Sequence, residues 1–225
     1  MKYVLLFSGG LDSTTALYWL KSLGHEVRCL SIDYGQRHRK ELSAAKKIAA
    51  RVNAPFHILD LSAARFLLSG SSQTSELEVP EGHYTEESMK LTIVPNRNMI
   101  MLSMAIGWAI NLGYGGVAYA AHNGDHAIYP DCRKEFIEAM QTSAKLCDWH
   151  SIDILAPFVD FSKSEIVKLG AELKVPFELT WSCYKGEDLH CGKCGTCVER
   201  KEAFDLSQIS DPTFYEIPGK ISVSL

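Results

Sequence analysis

Two segments of this sequence have the residue types and spacing of chemical sites. Segment 7–17 reads FSGGLDSTTAL, with two glycines and several hydroxyl residues directly after a short apolar run. Segment 183–197 holds four of the seven cysteines of the chain. A glycine-rich turn at the start of a helix binds anions through backbone N–H groups, and clustered thiolates bind metal ions. The first segment therefore predicts an anion site and the second predicts a metal site.

The anion site depends on the strand, turn and helix that surround it. The apolar residues before the turn are typical of a buried strand, and a helical pattern follows until Gly24 stops it. In a parallel sheet the turn after the first strand is the usual phosphate site, and the next helix adds the positive end of its dipole. We predict that the phosphates contact these residues: Phe7, Ser8, Gly9, Gly10, Leu11, Asp12, Ser13, Thr14 and Thr15.

Two common nucleotide-binding motifs do not explain this turn. The P-loop pattern GxxxxGK(S/T) occurs nowhere in the chain. Segment 113–118, GYGGVA, has the spacing of the dinucleotide motif but precedes a predicted strand instead of following one. A plain glycine-containing turn between a strand and a helix remains the alternative interpretation of the SGGLDS string.

The string SGGLDS resembles the pyrophosphatase loop, SGGxDS, of the ATP pyrophosphatase (PP-loop) family. The resemblance implies that the loop holds the pyrophosphate end of Mg-ATP, so that attack falls on the α-phosphorus and releases AMP. Asp12 would orient the loop or meet the magnesium ion, or it caps the helix. Lys163, after the last predicted strand, is a second candidate for the phosphates, or a solvated lysine at a helix start.

The metal site has the spacing C-x7-C-x2-C-x2-C, formed by Cys183, Cys191, Cys194 and Cys197. Four thiolates suit tetrahedral zinc, and the two-residue gaps allow turns that bring the sulfurs together. An iron–sulfur cluster is the alternative, but its bacterial signature places a fourth cysteine three residues later, before a proline. We predict one structural zinc ion per chain, with His190 beside the cluster and not a ligand.

Strands and helices alternate along most of the chain. Apolar strands are predicted at 3–7, 26–33, 55–61, 115–121 and 152–158. Helices are predicted near 12–23, 39–52, 96–112, 131–147, 162–173 and 198–207. This rhythm predicts an α/β fold with a doubly wound, five-stranded parallel sheet.

The predicted organisation is an ATP-binding α/β domain, 1–176, with a zinc-binding C-terminal region, 177–225, packed on it. Segment 62–91 is rich in Ser, Gly, Glu and Thr and interrupts the alternation, so we predict a functional flap or a locally disordered segment there.

Charge and hydropathy restrict the partners of the protein. The net charge of −4 disfavours a stable nucleic-acid partner, because phosphate contacts require a basic surface. The longest apolar stretch, 99–113, is too short and too interrupted for a membrane span. The N-terminal apolar run is shorter than the core of a signal peptide, so we expect no membrane association and a cytoplasmic location.

Three further strings extend the resemblance: DYGQRH at 33–38, VPNRN at 94–98 and the cysteine cluster. With SGGLDS, in this order, they resemble the QueC family, the 7-cyano-7-deazaguanine synthases of queuosine precursor biosynthesis. The resemblance implies an adenine nucleotide alpha hydrolase-like fold and a ligase that forms carbon–nitrogen bonds. In that reaction 7-carboxy-7-deazaguanine is adenylated, ammonia converts it to the amide, and a second ATP-dependent activation gives the nitrile. A structural zinc and a homodimer are also implied.

Roles within this family are assigned to individual residues as hypotheses. Asp12, Arg97 and Lys163 are the predicted catalytic residues, and Arg97 would meet the substrate carboxylate or a phosphate. Tyr34 would stack on a base, while Asn96 and Asn98 would read nucleotide or deazaguanine edges or cap a helix. Substrate contacts are thus predicted for Tyr34, Asn96, Arg97, Asn98 and Asp131, with His38, His122 and His126 as candidates for proton transfer.

Two other functions remain open on the sequence alone. A tRNA-thiolating PP-loop ATP pyrophosphatase shares the loop, but it would need a basic face and a reactive, unliganded cysteine. A nucleotide-binding zinc-ribbon protein without catalysis would bind ATP without releasing AMP.

Overall fold

The computed structural model describes residues 1–37, 39–82, 90–125, 129–185 and 188–216. Its centre is a sheet of five parallel strands in the order β3-β2-β1-β4-β5. The predicted doubly wound, five-stranded parallel sheet is therefore confirmed. The strand order reverses between β1 and β4, and in such sheets a ligand crevice opens there, at the carboxyl ends of the strands. The strands are β1 Lys2–Leu6, β2 Glu26–Asp33, β3 Phe56–Asp60, β4 Gly116–Ala118 and β5 Asp153–Leu155.

Within the described residues, six α-helices connect or follow these strands, close to their predicted positions. They are α1 Leu11–Ser22, α2 Lys40–Arg51, α3 Arg97–Asn111, α4 Lys134–Ala144, α5 Lys163–Glu172 and α6 Gly195–Ser207. The regular ladders of β4 and β5 are shorter than predicted. The chain nevertheless stays paired past the end of β4, because Tyr119 N donates to Leu155 O at 3.0 Å.

The sheet is buried on both faces, because side chains of each strand alternate between two apolar cores. Tyr3 and Leu5 of β1 face the core that α1, α2, α5 and α6 share. Val4, on the opposite face of β1, packs in the core of α3 and α4. None of the described helices is long and apolar enough to cross a lipid bilayer.

The described part of segment 62–91 contributes to the wall of the ligand crevice. It begins with a 3-10 helix at Ser62–Leu68, and a turn at 71–74 follows in which every residue is buried. Ser72 N donates to Leu91 O at 2.8 Å, and Gln73 Nε2 donates to Thr92 O at 3.0 Å. The turn is therefore bonded to the chain that leads into α3, and residues 83–89 of the predicted flap lie outside the described part.

The C-terminal region is joined to the main domain by a buried arginine. Arg200 of α6 has no exposed surface, and its guanidinium donates to Thr180 Oγ1 at 2.7 Å and to Phe177 O at 3.1 Å. It also forms an ion pair with Asp211 at 3.2 Å. Burial would raise the pKa of the Asp211 carboxyl, but the Arg200 guanidinium and hydrogen bonds from Tyr215 and Thr213 together outweigh it and lower that pKa. One side chain thus connects α6 to the segments before and after it.

The turn after β1 is possible only with glycine at position 9. Gly9 has a φ of +76°, a conformation that L side chains rarely adopt. A Cβ atom there would lie 2.5 Å from Ala45 N and 2.7 Å from Glu41 O, which are backbone atoms of α2. Helix α2 therefore packs directly on the backbone of the turn.

Gly24 offers a matched comparison, because its φ is +74° but an added Cβ would meet nothing within 4 Å. Alanine at either position has the same conformational cost of about 1–2 kcal/mol. Only Gly9→Ala also forces α2 away, which adds about 1–3 kcal/mol. We expect Gly9→Ala to lower the free energy of unfolding, measured in urea, by clearly more than Gly24→Ala. Equal losses would show that α2 does not constrain the turn.

Candidate active site and metal centre

The SGGLDS turn opens toward the crevice at the carboxyl end of β1. Ser8 Oγ lies 3.0 Å from Ser13 Oγ and accepts a hydrogen bond from Gly10 N at 3.2 Å. Gly10 occupies the N-cap position of α1, so the N–H groups of the next three residues have no carbonyl partner within the helix. The turn therefore presents hydroxyl and backbone donors in the arrangement that binds phosphate.

Asp12 and Lys163 form a partly buried ion pair across the crevice. Lys163 Nζ lies 3.0 Å from Asp12 Oδ2 and 3.1 Å from Glu199 Oε2, and His122 Nε2 is 3.4 Å away. Burial would raise the pKa of the Asp12 carboxyl, but the Lys163 ammonium and His122 outweigh it and lower that pKa. Asp12 Oδ1 is buried and has no hydrogen-bond partner among the described residues. An ionised carboxylate with one open oxygen is a suitable ligand for a divalent cation such as magnesium.

A cavity of about 270 Å³ extends from this turn toward the start of α3. Arg97 enters it from α3, and its Nη1 donates to Gln73 Oε1 at 3.1 Å. Tyr34 OH donates to the same oxygen at 3.2 Å. Arg97 carries five N–H donors, so the guanidinium can bind a carboxylate while keeping its contact to Gln73.

Glu41, at the start of α2, faces the same space from the opposite side. Its Oε1 accepts from Gln36 Nε2 at 2.9 Å, and Gln36 Oε1 accepts from Tyr34 N at 2.9 Å. Burial raises the pKa of Glu41 to about 7, although the hydrogen bond from Gln36 and the charge of Arg97 act in the opposite direction. Repulsion from Asp33 adds to the rise. Glu41 therefore exchanges a proton near neutral pH, as a general acid or base does.

The structure brings together only part of the residues that the sequence suggested. Thr14 and Thr15 lie wholly inside the protein, and Thr15 Oγ1 donates to Leu11 O within α1. Asp131 accepts from the backbone N–H of Asn98 at the start of α3 and does not line the cavity. The predicted nucleotide and substrate contacts that do line the main cavity are Phe7, Ser8, Asp12, Ser13, Tyr34, Arg97, Asn98 and Lys163.

The remaining candidates, Asn96 and three histidines, have separate outcomes. Asn96 precedes α3 with a φ of +61°, makes no capping hydrogen bond through its side chain and lies outside the cavity. His122 lines the cavity, as a proton-transfer candidate should. His38 and His126 lie outside the described residues.

Sequence reasoning missed several polar residues that line the cavity, among them Glu41, Gln73, Tyr184 and Glu199. Glu41 stands only three positions after the DYGQRH string, which is the signal that could have indicated it. Gln73 lies in the segment that was predicted as a flap. Tyr184 lies within the cysteine segment, and Glu199 lies two residues after its last cysteine, Cys197.

The four clustered cysteines converge on one point. Their Sγ atoms all lie within 4.8 Å of one another and all four residues are buried. The Sγ atoms of Cys183 and Cys194 are 3.8 Å apart, and those of Cys191 and Cys197 are 4.0 Å apart. A tetrahedron of sulfurs about 2.3 Å from a zinc ion has edges of about 3.8 Å. The donor set therefore fits a tetrahedral metal ion.

Backbone N–H groups support this cluster as they support thiolates in metal sites. Cys183 Sγ accepts from Lys185 N and from Cys191 N, both at 3.3 Å. His190 is not part of the donor set. Its Nε2 accepts from Ser182 N at 3.1 Å, and its ring packs against Trp181 with centroids 4.3 Å apart.

The strand order and the SGGLDS turn define the class of the protein as a PP-loop α/β protein. The U34-tRNA thiolase NcsA from Methanococcus maripaludis, solved with its 4Fe-4S cluster, superimposes with a TM-score of 0.53 at 15% sequence identity. The superposition covers 100% of this chain and 78% of that chain. At this identity the likeness shows the fold alone.

Sequence comparison identifies the family within this class. The profile of the family described as queuosine biosynthesis protein QueC matches residues 2–208. A 7-cyano-7-deazaguanine synthase from Methanoregula boonei is 50% identical over 216 residues, covering 96% of this chain and 100% of that protein. Another, from Rhizobium etli, is 53% identical over 218 residues, covering 96% and 92%. The chain belongs to the QueC family, as its motifs predicted.

The metal site predicts a stability effect that is specific to the cluster. Cys194→Ser removes one buried ligand, and metal binding contributes directly to the free energy of folding. We expect the variant to lose its metal in elemental analysis and to melt at a lower temperature. Cys147→Ser is the control, because Cys147 is exposed and lies outside the cluster. An unchanged melting temperature after loss of the metal would contradict a structural role.

The raised pKa of Glu41 predicts a pH dependence of stability. Its ordinary pKa is 4.5, and the folded protein holds it at about 7. The folded state therefore binds the extra proton between these values, and Glu41 lowers stability as pH rises through 7. We expect Glu41→Gln to gain stability over wild type between pH 5 and pH 8, by on the order of 1–3 kcal/mol.

The control for this measurement is Glu172→Gln, on the exposed surface of α5. A constant difference between Glu41→Gln and wild type across the pH range would show that Glu41 titrates normally. The charged and titratable groups that influence Glu41 are Arg97, Asp33, Tyr34 and Tyr184.

Proposed function

We propose that this protein converts 7-carboxy-7-deazaguanine and ammonia to 7-cyano-7-deazaguanine, with ATP cleaved to AMP and pyrophosphate. It would be an ATP-dependent ligase that forms carbon–nitrogen bonds. Membership of the QueC family and full-length relatives named as 7-cyano-7-deazaguanine synthases support the product. The observation that carries the chemistry is one cavity that joins the SGGLDS turn and Lys163 to Arg97.

The turn would hold the pyrophosphate end of Mg-ATP. Ser8, Ser13 and the first N–H groups of α1 offer neutral donors, and Lys163 offers a cation. Asp12, with one oxygen unpartnered among the described residues, would hold the magnesium ion that arrives with ATP. With the pyrophosphate end bound in this way, the α-phosphorus would face the rest of the cavity.

The substrate carboxylate would approach from the Arg97 side. A carboxylate oxygen attacks the α-phosphorus, the bond to pyrophosphate breaks, and an acyl-adenylate forms. Ammonia then attacks the carbonyl carbon, AMP leaves with the electron pair of the broken C–O bond, and a proton is lost to give the amide. The amide oxygen then attacks the α-phosphorus of a second ATP, pyrophosphate leaves, and the nitrogen loses a proton. The C–O bond breaks with its electron pair going to AMP, and loss of the remaining N–H proton gives the nitrile.

Arg97 suits this approach because a guanidinium binds carboxylates in a bidentate manner. Its contact to Gln73 fixes its direction, and Tyr34 beside it would stack on the deazaguanine ring. Asn98 lines the same cavity and would read a ring edge. The turn at 71–74 closes this side of the cavity and would help to exclude water from the adenylate.

We propose that the cysteine cluster holds one zinc ion with a structural role. Four protein sulfurs complete a tetrahedral site, which leaves no position for a reacting water. The region 177–225 would then serve the ATP-binding domain 1–176 as a rigid support. We also propose a cytoplasmic homodimer with no stable nucleic-acid partner, in keeping with the net charge of −4.

The proposed reaction is tested with purified protein, labelled ATP, ammonium and 7-carboxy-7-deazaguanine, following AMP and the nitrile by mass spectrometry. We expect AMP release that depends on the carboxylate, and nitrile that depends on ammonium as well. No AMP with the carboxylate would overturn the proposal. AMP released only when tRNA is added would favour a thiolating enzyme instead.

Two changes in the turn sharpen this test. Asp12→Asn removes the charge that pairs with Lys163, and Ser13→Ala removes a donor from the predicted phosphate site. Each should lower turnover by about 100-fold or more, because a preorganised charge or donor at the reacting group is lost. Metal content and fold should stay intact, and Asp205→Asn on the exposed face of α6 should retain full activity. Normal turnover in both variants would show that the turn does not bind the reacting phosphates.

A further inference from the structure

His122 lies at the place where the strand order of the sheet reverses. It follows the carboxyl end of β4, which neighbours β1, and its side chain lines the main cavity. Only 1% of the residue is exposed. No step of the proposed reaction described above uses this imidazole, although it lies beside Lys163.

The hydrogen bonds of the ring determine where its proton lies. Gly124 N donates to His122 Nδ1 at 3.1 Å, so Nδ1 presents a lone pair and carries no proton. A protonated imidazole has hydrogen on both nitrogens and could not accept this bond. The imidazole is therefore neutral in this arrangement, and its one proton is on Nε2.

Lys163 makes the competing contact, because its Nζ lies 3.4 Å from His122 Nε2. If the ammonium donated to Nε2, the ring proton would be on Nδ1 and would point at Gly124 N. The bond from Gly124 has an ordinary length, whereas the contact of Lys163 exceeds the usual range of about 2.7–3.2 Å for N–H donors. The shorter bond decides the tautomer, so Nε2–H and the ammonium are two neighbouring donors.

Close packing of Gly124 on the ring fixes this orientation. A Cβ at position 124 would lie 2.9 Å from His122 Cε1 and 3.1 Å from Nδ1, which is too close for a side chain. Asn123 N donates to Phe161 O at 2.9 Å and so joins this segment to the chain just before Lys163. The imidazole and the ammonium are therefore positioned together by the backbone.

Two cavities beside the SGGLDS turn indicate which phosphate His122 would meet. A smaller cavity of about 130 Å³ is lined by Gly10, Leu11 and Lys163, where the first N–H groups of α1 would bind the pyrophosphate end. Lys163 also lines the main cavity, whereas His122 lines the main cavity alone. His122 therefore lies on the side of Lys163 where the α-phosphorus would face the carboxylate.

We propose that His122, as a neutral imidazole, donates from Nε2 to a non-bridging oxygen of the α-phosphoryl group of ATP. The proposal rests on the proposed function, for which it names a further catalytic residue. The carboxylate oxygen forms its bond to the α-phosphorus, and the bond to pyrophosphate breaks with its electron pair going to pyrophosphate. The Nε2–H donor stabilises the charge on the α-phosphoryl oxygens during this displacement. The imidazole keeps its proton throughout, so it is ready for the second activation.

Proton transfer is the competing role for this histidine. A general base would accept a proton at Nε2, but that nitrogen already carries one while Gly124 N donates to Nδ1. The charged groups that face the ring are Lys163, Asp12 and Glu199. The positive charge through which His122 lowers the pKa of Asp12 belongs to the acidic range in which that carboxyl titrates. The neutral donor and the proton-transfer group give different results on substitution.

The first test compares two substitutions at position 122. His122→Ala removes the donor and should lower carboxylate-dependent AMP release at saturating ATP by about 100-fold. His122→Gln keeps a neutral N–H donor that transfers no proton, and it should stay within about tenfold of wild type. His57→Gln makes the same change on the exposed edge strand β3, outside both cavities, and should behave as wild type.

The second test examines the α-phosphate itself. The two diastereomers of ATP with sulfur at a non-bridging α position each replace one acceptor oxygen by sulfur, which accepts hydrogen bonds weakly. With one diastereomer the hydrogen bond is already lost in the wild type. We expect His122→Ala to cost about 100-fold with ATP but less than about tenfold with that diastereomer. The comparison is made between substrates in the same variant, so a loss of stability does not alter it.

Gly124→Ala tests how the ring is positioned. The added methyl group would displace the His122 ring and should lower turnover by about tenfold or more. In the His122→Ala background the same change should cost less than about twofold, because no ring remains to be displaced. Melting temperatures of all variants show that each is folded.

Three outcomes would overturn the role of His122. Equal losses in His122→Ala and His122→Gln would mean that the ring acts through a charge or a transferred proton. A loss in His122→Ala that is the same with ATP and with both diastereomers would mean that it does not bind the α-phosphate. Normal turnover in both variants would leave it without a role in the reaction. Carboxylate-dependent AMP release by wild type is measured in parallel, since its absence would overturn the proposed function itself.

Discussion

The close packing around Gly9 is the constraint on which the rest of the site depends. On one side the backbone of α2 approaches so closely that no side chain fits. On the other side Gly9 O accepts from Trp181 N at 3.0 Å, which brings the cysteine-rich region to the same turn. The turn is therefore held between two elements, one carrying Glu41 and the other carrying the metal ligands. The glycine that allows this tight turn therefore also sets the distance between the two walls of the cavity.

The cysteine cluster extends this support to both ends of the cavity. Gly82 N donates to Lys193 O at 2.8 Å, and Glu81 pairs with Lys185 and Lys193, so the chain after the buried turn at 71–74 is tied to the metal centre. Through α6 the same centre positions Glu199, which contacts Lys163. A metal ion bound by these cysteines would therefore affect chemistry without touching substrate, because it would orient the groups that contact Lys163 and line the cavity.

Much of the fold and part of the site could be predicted from the sequence. Alternating apolar strands and amphipathic helices determine the sheet, and strings such as SGGLDS place donors at the start of a helix because that geometry is local. Residues whose role depends on packing could not be predicted. Gln73 reaches the cavity because the turn at 71–74 is buried against the start of α3, and Asp131 is drawn to the N–H of Asn98. The environment of Glu41 likewise depends on elements far apart in the chain.

The arrangement of charges explains why the turn after β1 has no lysine of its own. A lysine within the turn would lie beside bound phosphates regardless of how α5 and α6 are positioned. Lys163 comes instead from α5, and its position depends on Asp12 and Glu199. These three groups carry one net negative charge, which would repel a triphosphate unless a divalent cation arrived with it. The turn supplies neutral donors, and with Mg-ATP bound as proposed, α1, α5, α6 and the magnesium ion would complete the charge balance together.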